Sequence, residues 1–181
     1  MRKVIVSNVA SLEGFFEGPD KGKLDWVIVD AEFLEYAGNL LRKVDTLLFG
    51  RATYQHMAAY WPSAPPDEVA DKMNNLPKVV FSKTLKKVDW NNSRLVMGDI
   101  QEEVLKLKAQ PGKDMVIFGS ATLASFLLQL GLIDEYRVIL QPVLLGKGSP
   151  LFQGITDRIQ LKLISAKTFG SGVVLLSYQR A

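Results

Sequence analysis

The sequence predicts a three-layer α/β fold, in which helices cover both faces of a mixed, mainly parallel sheet of about eight strands. Short apolar segments alternate with segments whose apolar residues recur every three to four positions, a pattern typical of buried strands and amphipathic helices. The last two apolar segments flank Gly170-Ser171-Gly172, which predicts a closing β-hairpin. The chain has 181 residues, a length that fits a single domain over residues 1–181.

The predicted elements follow in order along the chain. Apolar, often β-branched segments predict strands over residues 3–8, 46–49, 78–81, 94–96, 115–118, 134–140, 160–169 and 173–180. Helical spacing of apolar residues predicts helices over 31–43, 67–75, 100–109 and 121–130, and a further helix opens at Arg51. Pro111-Gly112 and Gly131 end two of these helices. The segment Trp61-Pro62-Ser63-Ala64-Pro65-Pro66 indicates a rigid surface loop.

The composition excludes several kinds of chemistry. Without cysteine the chain has no disulfide framework, thiolate nucleophile or Cys-ligated zinc, and with His56 as its one histidine it has no His-rich metal site. We therefore expect no metal. The net charge of +3 suits a phosphate-bearing ligand but is too small to predict a nucleic-acid partner. No apolar stretch approaches membrane-spanning length and no signal peptide is visible, so we expect a cytoplasmic protein without a membrane partner.

Three predicted strand ends carry residues that could bind phosphate. In Gly50-Arg51-Ala52-Thr53, the glycine allows a close approach, the guanidinium can fork onto phosphate oxygens, and the threonine adds a hydroxyl. Gly119-Ser120-Ala121-Thr122 follows another buried strand and opens a helix, and Ser82-Lys83 follows a third. Each also has an ordinary interpretation, as a strand–turn–helix with a solvated Arg51, a plain capped helix, or a solvated turn. Neither a Gly-x-Gly-x-x-Gly nor a P-loop motif is present.

Other polar or aromatic positions are less specific. Gly146-Lys147-Gly148-Ser149-Pro150 is more typical of a turn than of a phosphate loop, because no long helix follows it. We interpret Lys83, Lys86 and Lys87, with Trp90 nearby, as a solvated basic loop.

Taken together, these motifs resemble the dihydrofolate-reductase-like superfamily, and more closely the reductase domain of bacterial riboflavin biosynthesis. The motif Ser11-Leu12-Glu13-Gly14 is similar to the Ser-Leu-Asp-Gly motif that follows the family's first strand. The matching segments keep the family's order over nearly the whole chain and cover residues 7–15, 24–26, 48–54, 80–82, 117–121 and 142–152. The resemblance implies a dihydrofolate-reductase-like fold, NADPH as cofactor, a small-molecule substrate and a homodimer.

The resemblance also assigns roles to individual residues. It implies that cofactor phosphates are held by Gly50, Arg51 and Thr53, that the 2′-phosphate of the adenosine is approached by Ser82 and Lys83, and that the pyrophosphate lies against Gly119, Ser120, Ala121 and Thr122. In this family a second glycine stands where this chain has Ser120, so that transfer is the weakest of the three.

On the substrate side, the resemblance places Glu13 where the family has an acid near the substrate, so Glu13 is the candidate catalytic residue, for orienting the substrate or handling a proton. Ser11 and Trp26 are the candidate substrate-binding residues, although Trp26 could equally anchor the core. Folate reductases use an acid on the first long helix, and neither Glu32 nor Glu35 matches it without a gap.

The function implied by the resemblance is that of an NADPH-dependent reductase like 5-amino-6-(5-phosphoribosylamino)uracil reductase, with hydride transfer to a small heterocyclic or ribosyl substrate. Dihydrofolate reductase activity and a non-catalytic nucleotide-binding module on the same fold are the alternatives. The chain has no cysteines for the zinc deaminase domain that often precedes this reductase, so we expect a stand-alone relative. The aromatic residues after Thr53 favour a more apolar substrate pocket.

Overall fold

The computed structural model describes residues 1–181 and has the predicted three-layer α/β architecture. The strands are β1 (Val4–Ala10), β2 (Phe15–Glu17), β3 (Val44–Gly50), β4 (Lys78–Phe81), β5 (Ser93–Val96), β6 (Asp114–Phe118), β7 (Glu135–Leu140), β8 (Ser149–Pro150), β9 (Leu161–Thr168) and β10 (Val174–Arg180). The helices are α1 (Ala31–Lys43), α2 (Arg51–Tyr60), α3 (Glu68–Asn75), α4 (Ile100–Ala109) and α5 (Ala121–Gln129), with a 3-10 turn over Trp61–Ser63.

Eight strands form the main sheet in the order β5-β4-β3-β6-β1-β7-β10-β9. All neighbours from β5 to β7 run parallel, whereas β10 is antiparallel to both β7 and β9. The predicted number of strands and the closing hairpin are therefore confirmed. Because the parallel strands end at the same edge of the sheet, their carboxyl ends gather the loops that precede α1, α2 and α5.

The two faces of the sheet bury separate apolar clusters. Alternate residues of β1 point to opposite faces, so Val4 and Val6 pack with α4 and α5 whereas Ile5 packs with α1. This arrangement explains why the central strands contain almost continuous apolar residues, as parallel strands covered on both faces require.

The structure departs from the sequence-based prediction at two places. β2 and β8 form a small antiparallel sheet that the pattern did not indicate, because two- and three-residue strands carry no periodicity. The sequence predicts a solvated basic loop around Trp90, but Trp90 is buried against Phe49 and Tyr54. That part of the prediction is wrong: the neighbouring lysines suggested solvent, but the indole completes the cluster around α2 and α3.

None of the five α-helices is both long and apolar enough to cross a membrane.

The outer edge of β9 pairs with no other strand of the chain. The strand is eight residues long, and Leu163 and Ile164, on its opposite faces, are each about half exposed. A long free edge of this kind favours association with another copy of the chain. We therefore expect a homodimer in solution and expect Ile164→Lys to shift the mass measured by light scattering to that of a monomer. A monomeric mass for the unchanged protein would contradict this expectation.

Candidate functional site

The carboxyl ends of β3, β4 and β6 lie side by side, because these three strands are neighbours in the sheet. Gly50 is both the last residue of β3 and the residue that precedes α2. Gly119 and Ser120 connect β6 to α5 in the same way. The three predicted phosphate-binding segments thus meet at one edge of the sheet.

The N-termini of α2 and α5 differ from those of the other three helices in how they are capped. The side chains of Asp30, Asp67 and Asp99 accept hydrogen bonds from backbone N–H groups in the first turns of α1, α3 and α4. No side chain caps the N-terminus of α2 or of α5. Unpartnered N–H groups and the positive end of the helix dipole make such a terminus suitable for an anion. Two of these termini side by side are suited to a pyrophosphate.

Ser120 and Thr53 join the two uncapped helices. The Gly50 N–H donates to the hydroxyl of Ser120 at 2.9 Å, and the Ser120 N–H donates to the hydroxyl of Thr53 at 2.8 Å. Ser120 therefore keeps the role of bringing α2 and α5 together, although it stands where the resembling family has a glycine. Because the Gly50 N–H donates to Ser120, this N–H already has a partner within the protein.

The backbone at Gly119 and Ser120 turns through two successive left-handed residues, with φ of 61° and 49°. All peptide bonds in the chain are trans. Glycine is required at the first position, because a Cβ on Gly119 would lie 3.0 Å from Cγ2 of Thr53. The Thr53 side chain therefore packs directly against the backbone of Gly119.

Two substitutions at Ser120 test whether its left-handed backbone strain offsets the stability gained from its hydrogen bond with the Gly50 N–H. Ser120→Ala removes the acceptor for the Gly50 N–H and keeps a side chain in the left-handed region, so we expect the free energy of unfolding to fall by about 1 kcal/mol. Ser120→Gly removes the same acceptor but relieves roughly 1 kcal/mol of left-handed strain, so its stability should stay close to that of the unchanged protein. Chemical denaturation measures both values, and an equal loss in the two variants would contradict this balance.

Arg51 and Ser82 meet through Thr84, a residue that the sequence did not single out. Nη1 of Arg51 donates to the Thr84 hydroxyl at 3.2 Å, and the Ser82 hydroxyl accepts from the N–H groups of Thr84 and Leu85. The guanidinium therefore lies over the turn that follows β4. Lys83 is exposed on the same turn and forms no ion pair. Two cations at this turn suit a phosphate monoester.

On α5, the other two predicted cofactor contacts lie in the first turn. Ala121 is buried and Thr122 is exposed. The small side chain of Ala121 leaves the N–H groups of this turn accessible, and the Thr122 hydroxyl is free to face solvent or a ligand.

Glu13 lies near the end of β1, and its carboxylate is held by the loop after β7. The N–H of Leu145 donates to Oε2 at 2.6 Å and the N–H of Gly146 donates to Oε1 at 2.8 Å. Hydrogen bonds lower the pKa of Glu13 below its usual range. The largest effect comes from the Leu145 N–H, and the Gly146 N–H and the nearby Ser11 hydroxyl add to it. A carboxyl group with a lowered pKa is ionised at neutral pH and has no proton to donate. This geometry therefore favours a role for Glu13 in fixing the loop over a role as proton donor.

The two predicted substrate-binding residues differ in accessibility. Ser11 is fully buried, and its hydroxyl accepts from the Phe15 N–H within its own turn. Trp26 is partly exposed on the loop between β2 and α1, and its Nε1–H is buried without a hydrogen-bond partner. An unpartnered indole N–H beside the carboxyl edge is suited to an acceptor on a ligand.

Gln141 is a further residue of this region that sequence reasoning missed. It directly follows β7, is almost fully buried, and its Oε1 accepts from the Ile28 N–H at 2.9 Å. It therefore ties the loop that carries Trp26 to the sheet. Its partner lies 113 positions away, so no local pattern indicated this contact.

The sequence and fold of this chain are similar to those of several known proteins. A profile of the RibD C-terminal domain matches residues 2–175. YyaP of Bacillus subtilis (strain 168) is 38% identical over 183 aligned residues, which cover 98% of this chain and 94% of YyaP. A structure from Shewanella sp. PV-4, named for riboflavin biosynthesis, is 25% identical with a TM-score of 0.79 and 99% coverage of both chains. Dihydrofolate reductase from Enterococcus faecalis, solved with NADP(H), shares the fold at 15% identity, a TM-score of 0.67, and coverage of 98% and 96%.

Proposed function

Because the chain belongs to the RibD C-terminal domain family, we propose that it is an NADPH-dependent reductase that reduces a small heterocyclic or ribosyl substrate. The observation that carries the proposal is the pair of uncapped helix N-termini at α2 and α5, which lie beside the two free cations at the turn after β4. The Enterococcus faecalis protein of the same fold was solved with NADP(H), which supports this choice of cofactor.

The residues present fit an adenine dinucleotide phosphate. The first turns of α2 and α5, which no side chain caps, would hold the pyrophosphate. Arg51 and Lys83 would hold the 2′-phosphate through charge-assisted hydrogen bonds. When bound, NADPH supplies the hydride.

The chain's own contribution is positioning. Glu13, bonded to the backbone at Leu145 and Gly146, fixes the loop after β7 against the turn after β1, and Gln141 fixes the loop that carries Trp26. A substrate would lie beside the end of β1, between these loops and the cofactor. The Trp26 indole N–H would donate to an acceptor on the substrate.

A titration of the purified protein with NADPH, followed by fluorescence or calorimetry, tests the proposal. We expect saturable binding, and the absence of binding at millimolar NADPH would exclude the proposed function. NADPH oxidation is then measured with pterins, ribosylaminopyrimidines and small carbonyl compounds. Turnover of a ribosylaminopyrimidine supports the riboflavin-type activity and turnover of a pterin supports the folate-type alternative. Binding without turnover favours a nucleotide-binding module. That outcome is consistent with the Glu13 carboxylate, whose two oxygens already accept hydrogen bonds from the backbone.

A further inference from the structure

Four large apolar side chains lie exposed on the loops around the end of β1. Each of them is between 51% and 69% exposed: Leu12, Leu24, Val29 and Leu144. They lie on three loops, namely the turn after β1, the loop between β2 and α1, and the loop after β7. Single exposed apolar residues are common on protein surfaces, whereas a group of them on adjoining loops indicates a binding surface.

Hydrogen bonds between these loops bring the apolar residues together. The N–H of Leu12 donates to the carbonyl of Val143, the residue before Leu144, at 3.0 Å. The N–H of Ile28 donates to Oε1 of Gln141, the residue directly after β7, at 2.9 Å. β1 and β7 are paired up to their last residues, so the three loops meet at one place on the carboxyl edge of the sheet. In the proposed function, a substrate lies there beside the cofactor.

The charges on these loops do not suit a phosphate. Residues 11–30 and 141–149 carry five acidic side chains, three lysines and no arginine: Glu13, Glu17, Asp20, Asp25 and Asp30 against Lys21, Lys23 and Lys147. The N-terminus of α1 is closed to an anion as well, because Asp30 caps it by accepting from the Phe33 N–H at 2.8 Å. This part of the carboxyl edge therefore disfavours the anions that suit the uncapped termini of α2 and α5.

Two hydrogen-bond donors beside this surface lack a partner. The indole N–H of Trp26 and the Nε2 amide of Gln141 are buried, and neither forms a hydrogen bond. Trp26 is partly exposed as a whole, and it lies two positions before Ile28, which is bonded to Gln141. Buried donors are nearly always paired. A ligand on this surface would supply the missing partner through an acceptor such as a carbonyl oxygen.

We propose that this apolar surface binds an uncharged substrate that presents a hydrogen-bond acceptor and carries no phosphate, an inference that rests on the proposed reductase function. The exposed apolar side chains lose contact with water when the substrate covers them, which stabilises the complex. The Trp26 N–H donates to the acceptor of the substrate. A phosphate on the substrate would lose its hydration beside an apolar, net acidic surface, so it lowers the affinity.

The test compares 4-methoxybenzaldehyde with 4-formylphenyl phosphate, which share the ring and the aldehyde and differ in the methoxy and phosphate groups. Calorimetric titrations are made on the protein saturated with NADP⁺, which occupies the cofactor site and prevents reduction. We expect the unchanged protein to bind the methoxy compound about tenfold more tightly than the phosphate. Equal binding, or tighter binding of the phosphate, would overturn the inference.

Leu144→Lys tests the surface itself. It replaces an exposed apolar side chain by a cation, so we expect the tenfold preference to fall to about twofold or less. Leu105→Lys, at a similarly exposed leucine on α4, is the matched control and should keep the tenfold preference. Trp26→Phe keeps an aromatic ring but removes the donor, and it should weaken binding of the methoxy compound by about fivefold. Thermal denaturation confirms that each variant is folded.

The outcomes separate the two proposals. If the protein binds NADP⁺ but neither aldehyde, or if Leu144→Lys keeps the preference, the inference about the substrate is wrong although the cofactor assignment stands. A change of mass in light scattering for Leu144→Lys would mean that a second copy of the chain covers the surface, which also overturns the inference. If the protein binds neither NADP⁺ nor NADPH, the proposed reductase function itself is wrong.

Discussion

Arg51→Ala is expected to weaken NADPH binding by about ten- to a hundredfold while leaving NADH binding almost unchanged. The guanidinium reaches over the turn after β4, where its Nη1 donates to the Thr84 hydroxyl, and both Arg51 and Lys83 are exposed there. The two cofactors differ only by the 2′-phosphate of the adenosine. A charge-assisted contact to that group therefore appears as a change in preference between them. The ratio of the dissociation constants for NADH and NADPH, obtained by fluorescence titration, measures this preference.

Two variants control this experiment. Lys83→Ala should reduce the preference by a smaller factor, because a lysine makes a single-point contact where arginine can fork. Arg158→Ala removes an exposed arginine far along the chain and should change neither constant. An equal loss of NADH and NADPH affinity in Arg51→Ala would instead mean that Arg51 contacts the pyrophosphate.

Lys78→Met is expected to lower the free energy of unfolding by about 2–4 kcal/mol. Lys78 is 1% exposed, and its ammonium group donates to the carbonyls of Asn74, Leu76 and Asn91 at 2.8–2.9 Å. It also lies 4.3 Å from the centroid of the Trp90 ring. Methionine retains the stem but leaves three carbonyls without a donor. Urea denaturation measures the loss.

The same lysine predicts a dependence of stability on pH. Burial lowers the pKa of Lys78 from 10.5 to about 8. Between those values the unfolded chain binds the proton more tightly than the folded protein does, so the free energy of unfolding should rise as the pH increases through this window. Lys78→Met should lose that rise. Lys86→Met, at an exposed position, should change neither the stability nor its pH dependence.

The fold could be predicted from the sequence because its information is local. The alternation of apolar strands and amphipathic helices indicated eight of the nine α-helices and strands from β3 to β7 within a few residues, the exception being α2, for which only the start was indicated. The strand ends at Gly50, Ser82 and Gly119 followed from the same alternation, because parallel strands place their carboxyl ends together.

The remaining features depend on contacts between distant segments. Glu13 could be recognised as an acid at the end of β1, but its partners are backbone N–H groups more than 130 positions away. Lys78 reads as an ordinary strand start, and only the carbonyls that surround it reveal a buried cation.

The division between aspartate-capped and uncapped helices has a consequence for how the protein behaves in a cell. Aspartate side chains cap the N-termini of α1, α3 and α4, whereas α2 and α5 have no side-chain cap, and in the proposed function the bound dinucleotide would supply their partner. A ligand present at a hundred times its dissociation constant raises the free energy of unfolding by about 2.7 kcal/mol. The melting temperature of the protein would then report how far it is saturated with cofactor. The resistance of the protein to proteolysis should rise and fall with the supply of reduced dinucleotide.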